Sequence, residues 1–332
     1  MSDLYDFNVD EVAEWIRSRN AMRVAIQLPE GLKMGAQTIA RELEERTGSD
    51  ILVLADPCFG ACDFPTDFGR HSDALVQFGH SKIPSMLAPD NVLFVEVQMN
   101  VDPMPLLPEV LDSLKGRVGL VTTVQHINWV GKIREWLESR GTSVAVGKGD
   151  TRTAHPGQVL GCNVTAAISI SDKVDQFLYI GSGDFHPLAI SLETSKPVVI
   201  LDPMNGEVRD VEELTERILR QRHGAIVLGS EASSFAVLVS TKPGQMRIDL
   251  ANSLRDTLRS MGKEAIEVAM DRFDPEKLLA FSVDAYVSTG CPRVAIDDYM
   301  RYKRPILTPV ELEISLGLRD WDEYRLDSIL DG

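Results

Sequence analysis

The sequence predicts an α/β protein of three related domains, each a small, mostly parallel sheet flanked by helices, arranged around a pseudo-threefold axis. Three observations predict it. Short β-branched runs alternate with amphipathic helix patterns, the signature of βαβ units feeding parallel sheets. Those runs stack into three similar sets. Each set also places a cysteine in a loop beyond a strand, so three domains about a common axis can point one thiol each at a shared centre.

The first set reads RVAIQLPEG from Arg23, DILVLADPC from Asp50, DALVQFGH from Asp73 and NVLFVEV from Asn91. The second reads RVGLVTTVQ from Arg117, SVAVGKGD from Ser143, QFLYIGSG from Gln176 and PVVILDPMN from Pro197. The third reads FAVLVSTKPGQ from Phe235, EAIEVAM from Glu264, DAYVSTGC from Asp284 and RPILTPVELE from Arg304. An amphipathic helix pattern follows each first strand, over Leu32–Glu45, Ile127–Ser139 and Gln245–Met261. The glycines that close the third strands, Gly79, Gly181 and Gly290, keep a spacing of roughly 100 residues, too long for a solenoid and typical of a whole α/β domain. Pro and Gly interrupt the pattern near Val101–Pro105 and Asn205–Asp210. The expected domains are therefore 1–103, 104–209 and 210–332, the last two opening with short helix patterns at Leu106–Leu114 and Val211–Arg222.

With 332 residues, 44% hydrophobic and 25% charged, the chain has an ordinary globular composition and length enough for a core that needs no disulfide or metal. Its 34 Lys and Arg against 50 Asp and Glu give a net charge of −16. That acidity argues against a phosphate-tracking nucleic-acid binder and against adhesion to anionic lipid. The opening MSDLYDFNVDEV has neither the basic nor the apolar region of a signal peptide, and no uncharged run reaches the ~18 apolar residues of a membrane span. A soluble, cytoplasmic protein is expected, with no nucleic acid and no membrane among its partners.

Four cysteines do not make a secreted disulfide framework. Cys58 and Cys62 follow the second strand of the first set in ADPCFGACD; Cys162 follows in HPGQVLGCN, and Cys291 in STGCPR. All lie where ligands bind in open α/β sheets, beyond the strands' carboxyl ends. Pro292 suits a first helical position, which makes Cys291 an N-cap candidate with a lowered thiol pKa. A lone cysteine is most often a small buried hydrophobe, but one per repeat at the functional edge points to a shared metal or cluster. Zinc could draw on the C-x3-C pair Cys58–Cys62 with His80 or His186. A four-iron cluster held by three thiolates would keep one iron open for substrate. The usual radical CxxxCxxC run is absent, since Pro65 stands three residues after Cys62.

Other residues carry weaker signals. His80 ends a strand as Ser182 and Cys291 do, and is either a hydrogen-bonded structural imidazole or a catalytic contact. The Gly-rich turn Gly181, Gly183, Asp184 and His186 could expose backbone N–H groups to a carboxylate, and Glu30 in LPEG has similar standing. Arg301, Lys303 and Arg304 read as a solvated face. Trp15, Trp129 and Trp136 read as core or interface, and Asp297 and Asp298 as charges near a helix start.

Seven segments together resemble the archaeal 2-(3-amino-3-carboxypropyl)histidine synthases of diphthamide biosynthesis, over essentially the whole chain. They are LPEGLK (Leu28–Lys33), ADPCFGACD (Ala55–Asp63), QFGHS (Gln77–Ser81), GQVLGCN (Gly157–Asn163), IGSGDFHPLA (Ile180–Ala189), TGCPRVAIDDY (Thr289–Tyr299) and KRPILTPVELEISLG (Lys303–Gly317). The resemblance implies a homodimer in which Cys62, Cys162 and Cys291 hold one [4Fe-4S] cluster, leaving Cys58 as an extra. It further implies reductive cleavage of S-adenosylmethionine at the Cγ–S bond with an electron from a donor. The 3-amino-3-carboxypropyl group then goes to C2 of a histidine on translation elongation factor 2, and methylthioadenosine leaves. On that reading His80 is the catalytic candidate, with Glu30, Gly181, Gly183, Asp184 and His186 around S-adenosylmethionine. Two alternatives remain from the residues alone: a quinolinate-synthase-like cluster dehydratase, and a non-catalytic zinc or cluster scaffold.

Overall fold

A computed structural model describes residues 4–330. Its strands follow the apolar runs. The first sheet comprises β1 (Arg23–Gln27), β2 (Asp50–Leu54), β3 (Ala74–Phe78) and β4 (Val92–Val95). The second comprises β5 (Val118–Thr122), β6 (Val144–Ala145), β7 (Gln176–Ile180), β8 (Val198–Asp202) and β9 (Glu207–Asp210). The third comprises β10 (Ser234–Ser240), β11 (Glu264–Met270), β12 (Ala285–Ser288) and β13 (Ile306–Leu307). Their orders are β2-β1-β3-β4, β6-β5-β7-β8-β9 and β11-β10-β12-β13. Each of these sheets thus runs second, first, third, fourth, all parallel, with β9 added antiparallel to β8, and a short antiparallel pair, Tyr5–Asp6 with Gln98–Met99, stands apart from them. The chain repeats one topology three times.

Central strands such as β3, β5 and β7 are buried along their whole length. They can be apolar on both faces because helices cover both sides of a parallel sheet. Edge strands β2 and β11 stay largely open: β2 has no buried residue, and β11 buries only Ala265 and Val268. Helix α1 (Val9–Ser18) precedes the first sheet, and three main helices follow the first strands: α2 (Ala36–Thr47), α3 (Val130–Ser139) and α6 (Ile248–Ser260). In the first two sheets a 3-10 turn, over Glu30–Gly35 or Val124–Trp129, precedes the helix, so the periodic patterns from Leu32 and Ile127 begin in tighter turns. The Leu106–Leu114 pattern breaks into short turns around Pro108. The Val211–Arg222 pattern grows instead into α5 (Glu212–Glu231).

Arg222 anchors α5 near its middle. Its fully buried guanidinium grips Glu311 at 2.8 and 2.6 Å and the carbonyls of Ala295 and Ile306 at 2.6 Å each. Glu311 belongs to α8 (Pro309–Ser315) and closes a capping box with Thr308. A buried fork of this kind fixes where two helices meet, because a displaced partner would leave a charge in the core. No described helix is long and apolar enough to cross a membrane.

Glu193 ends α4 (Phe185–Thr194) beneath the C-terminal segment, facing Ser328, Arg325 and Asp327. Burial lifts its carboxyl to about 7, against the Ser328 hydroxyl and Arg325, which lower it. A carboxyl raised in the folded state contributes stability while protonated and loses it as pH rises through its folded value. Stability is therefore expected to fall between pH 4.5 and about 7. Glu193→Gln should flatten that fall, by on the order of 1–3 kcal/mol at the alkaline end, measured by urea unfolding across the pH range. An unchanged profile would show that Glu193 is solvated.

Candidate functional site

Cys62, Cys162 and Cys291 line one cavity of about 460 Å³ at the carboxyl ends of the three sheets. Cys58 does not line it: its side chain is buried below, 3.9 Å from His80 Nδ1, and accepts a hydrogen bond from Gln77 Nε2 at 3.5 Å. Cys58 is a packed thiol, while its neighbour four residues on faces the opening.

The first loop is folded by Asp63. Its amide donates to Gly60 at 3.0 Å, its carboxylate accepts from Phe59 N–H at 3.3 Å, and Lys242 Nζ donates to it at 2.6 Å. Lys242 comes from the third sheet and so joins two units. Gly244, just after it, donates to the Cys62 carbonyl at 3.2 Å, and Gln245 Nε2 donates to Cys62 Sγ at 3.2 Å. Arg152, from the second unit, donates to the Gly244 carbonyl at 2.9 Å. Residues 242–245 thus form a clamp on Cys62 that is held from behind by the second unit.

The Cys162 loop closes through buried Asn163, which donates to Asp150 at 2.8 Å and accepts from the backbone and hydroxyl of Thr165. Gly161 is needed beside it, since a Cβ there would lie 2.7 Å from the Phe185 ring. Cys291 follows β12, where Arg247 Nε donates to the Thr289 carbonyl at 2.7 Å. The helix after it, α7 (Arg293–Ile296), is capped by Pro292, so Cys291 stands one residue outside the expected N-cap. Four residues make too short a dipole to lower a buried thiol. Burial instead pushes the Cys291 thiol up, and repulsion from Cys162 and Cys62 adds to the rise. Cys62 is raised to about 12 by burial and then by Cys162. Burial also raises Cys162, against the guanidinium of Arg152.

These donors suit a group wider than one ion. Three thiols whose ionised forms would repel one another across a cavity need a shared cationic partner to become thiolates. Cys58 packs below the cavity that Cys62 lines, so the two do not turn to one ion as a zinc knuckle would. A four-iron cluster on three thiolates fits the donor set and keeps one iron free.

His80 and His186 also face the cavity. Burial drops both imidazoles to about 4, helped at His186 by Arg293. Gly181, Gly183, Asp184 and Glu30 lie outside the cavity lining. Asp184 turns to Arg209 at 2.5 Å, and Glu30 is held by Lys33 at 2.6 Å, so neither carboxylate reaches inward. Asp297, Asp298 and Arg301 line the cavity's rim, and Arg301, Lys303 and Arg304 are exposed, as a solvated face would be. Sequence reasoning missed Asp63, Arg152, Lys242, Gln245 and Arg247. Lys242 and Gln245 had one available signal: STKPGQ follows a first strand, at the edge where the cysteines lie.

A family model described as putative diphthamide synthesis protein matches residues 28–325. The 2-(3-amino-3-carboxypropyl)histidine synthase of Pyrococcus horikoshii is 38% identical over 337 residues, covering 99% of this chain and 95% of that protein. Subunit 1 of the synthase of Caenorhabditis elegans is 30% identical, over 94% of this chain and 80% of that protein. A crystal structure of Dph2 from Pyrococcus horikoshii with a 4Fe-4S cluster aligns at a TM-score of 0.89 and 36% identity, covering 99% of this chain and 95% of that one. These matches displace the dehydratase reading.

A Cβ on Gly244 would lie 2.5 Å from Cys62 Cβ and 2.7 Å from its Cα. Gly244→Ala is expected to push the clamp off Cys62, costing about 2 kcal/mol of stability. It should also speed alkylation of Cys62 but not of Cys58. Equal labelling in variant and wild type would mean that the clamp does not hold Cys62.

Proposed function

Since the chain belongs to the diphthamide synthesis family, as a 3-amino-3-carboxypropyl transferase, we propose that it modifies C2 of a histidine on translation elongation factor 2, using S-adenosylmethionine. The observation that carries this reading is the meeting of one loop cysteine from each sheet at a single cavity. Cys62, Cys162 and Cys291 would each hold one iron of a [4Fe-4S] cluster. When bound, that cluster supplies the electron for cleavage of the Cγ–S bond, with methylthioadenosine as the leaving product.

The chain's own residues would orient and shelter the reactants. Ile83, Val159 and Phe273 wall the cavity and exclude water. His80 and His186, neutral near pH 7 because burial holds both near 4, offer hydrogen bonds without adding charge. Arg293, paired with Asp297 at 2.7 Å, and Arg301, paired with Asp298 at 3.2 Å, set both signs at the mouth. An amino-acid end with an ammonium and a carboxylate needs both. The protein would act in the cytoplasm as a homodimer, receiving electrons from a separate donor. The open edge β2 exposes Leu52 and Val53, and unpaired parallel edges of this kind are what a second copy covers.

Anaerobically prepared Cys62→Ala, Cys162→Ala and Cys291→Ala proteins should lose most iron and all methylthioadenosine production while remaining folded. Cys58→Ala should keep both and lose on the order of 1 kcal/mol of packing. Iron content and methylthioadenosine yield decide, and equal loss at Cys58 and Cys62 would sink the assignment. For the dimer, Val53→Asp should sediment as a monomer at concentrations where wild type is dimeric. A dimer retained in that variant would exclude the β2 edge.

A further inference from the structure

Beyond the last short turn, residues 324–330 run without regular secondary structure past two of the three cysteine loops. Ile329 N–H donates to the Cys162 carbonyl at 2.8 Å, and Asn163 Nδ2 returns a bond to the Ile329 carbonyl at 3.1 Å. Two residues earlier, buried Asp327 takes both terminal nitrogens of Arg247, one of them at 3.1 Å. Arg247 spends its remaining donors on the loop before Cys291, reaching the Thr289 carbonyl at 2.7 Å and that of Gly290 at 3.3 Å. Just before Asp327, Leu326, 2% exposed, is sunk in the core of the second sheet with Ile296, which ends the helix after Cys291.

We propose that this C-terminal segment is a strap that sets the spacing of Cys162 and Cys291, with Asp327 and Arg247 as its positioning residues. The role assigned to the strap rests on the reading that those two thiols hold one shared group. Its physical basis is separate. The two cysteines ride on loops of different sheets, and a loop end held only by its own strand can drift by local opening. The strap bonds one loop through backbone and the other through an ion pair, so the two loops move as one. A segment that merely covered apolar surface would need Leu326 and Ile329 but no buried carboxylate at Asp327. Residues 326–330 also lie beyond the stretch matched by the family model.

The test begins with metal-free protein. Iodoacetamide labelling of each cysteine is followed by mass spectrometry in wild type, Asp327→Ala and Asp327→Glu. Asp327→Ala should label Cys162 and Cys291 about tenfold faster with Cys58 and Cys62 unchanged, and Asp327→Glu should restore much of the protection. Iron-loaded Asp327→Ala should also release iron to a chelator about tenfold faster than wild type, with an altered electron paramagnetic resonance signal after reduction. Unchanged labelling of Cys162 and Cys291, or a rise shared equally by all four cysteines, would overturn the strap. Wild-type protein that takes up no iron during anaerobic reconstitution would overturn the cluster reading instead, whatever the labelling shows.

Discussion

Three sulfur atoms carried by three separate sheets have to meet across one cavity, and the buried polar chemistry near that cavity serves the meeting. No strand crosses from one sheet to the next. The units are joined there by side chains: Lys242 to Asp63 between third and first, Arg152 to Gly244 between second and third, Gln125 to the Gly79 carbonyl at 2.9 Å between second and first. Gln158 adds a bond to Ser81 at 3.0 Å, beside the turn that carries His80. Each tie spans two units and lands within a few residues of a cavity-facing group. Apolar packing builds each sheet, and directional contacts set the sheets' relative positions where the thiols need it.

Those contacts explain how a chain of net charge −16 can surround a thiol cluster with cations. The acidity is spread over the surface, whereas buried Lys242 and half-buried Arg247 stand beside the cysteine loops and are matched one to one, with Asp63 and Asp327. Buried pairs of this sort add little net stability, because desolvation offsets most of the attraction. Their value is intolerance of misplacement. An unpaired charge in the interior costs several kcal/mol, so the geometry in which every pair closes is strongly preferred over near alternatives. Arg222 with Glu311 applies the same logic at the base of the third unit.

Much of the fold was legible in the sequence because its signals are local. A strand buried on both faces reads as a β-branched run, and β5, β7 and β10 stand within a residue or so of RVGLVTTV, QFLYI and FAVLVS. The loop cysteines were legible for a topological reason: anything just past a parallel strand's carboxyl end faces the functional edge. What stayed hidden depends on partners far away in the chain. Gln245 bonds a sulfur 183 positions earlier, and Asp327 meets an arginine 80 positions before it. No periodicity encodes such a pairing. The Gly181–Asp184 turn misled for the converse reason. It is local and well formed, but Arg209 on β9 draws Asp184 away from the cavity, and a neighbouring strand's side chain cannot be read from the turn itself.

The acid–base character of the site follows from the same burial. A thiol near a helix start would be partly ionised alone, as the sequence suggested for Cys291. In the folded chain burial and mutual repulsion keep Cys62 and Cys291 protonated. Three preformed thiolates would repel one another and force the loops apart. Three neutral thiols can wait close together without strain, and they ionise only when a cation arrives to share their charge. Burial also keeps His80 and His186 neutral. The thiols and imidazoles that face the cavity are therefore neutral, while its charged lining includes opposite signs that pair, Arg293 with Asp297 and Arg301 with Asp298.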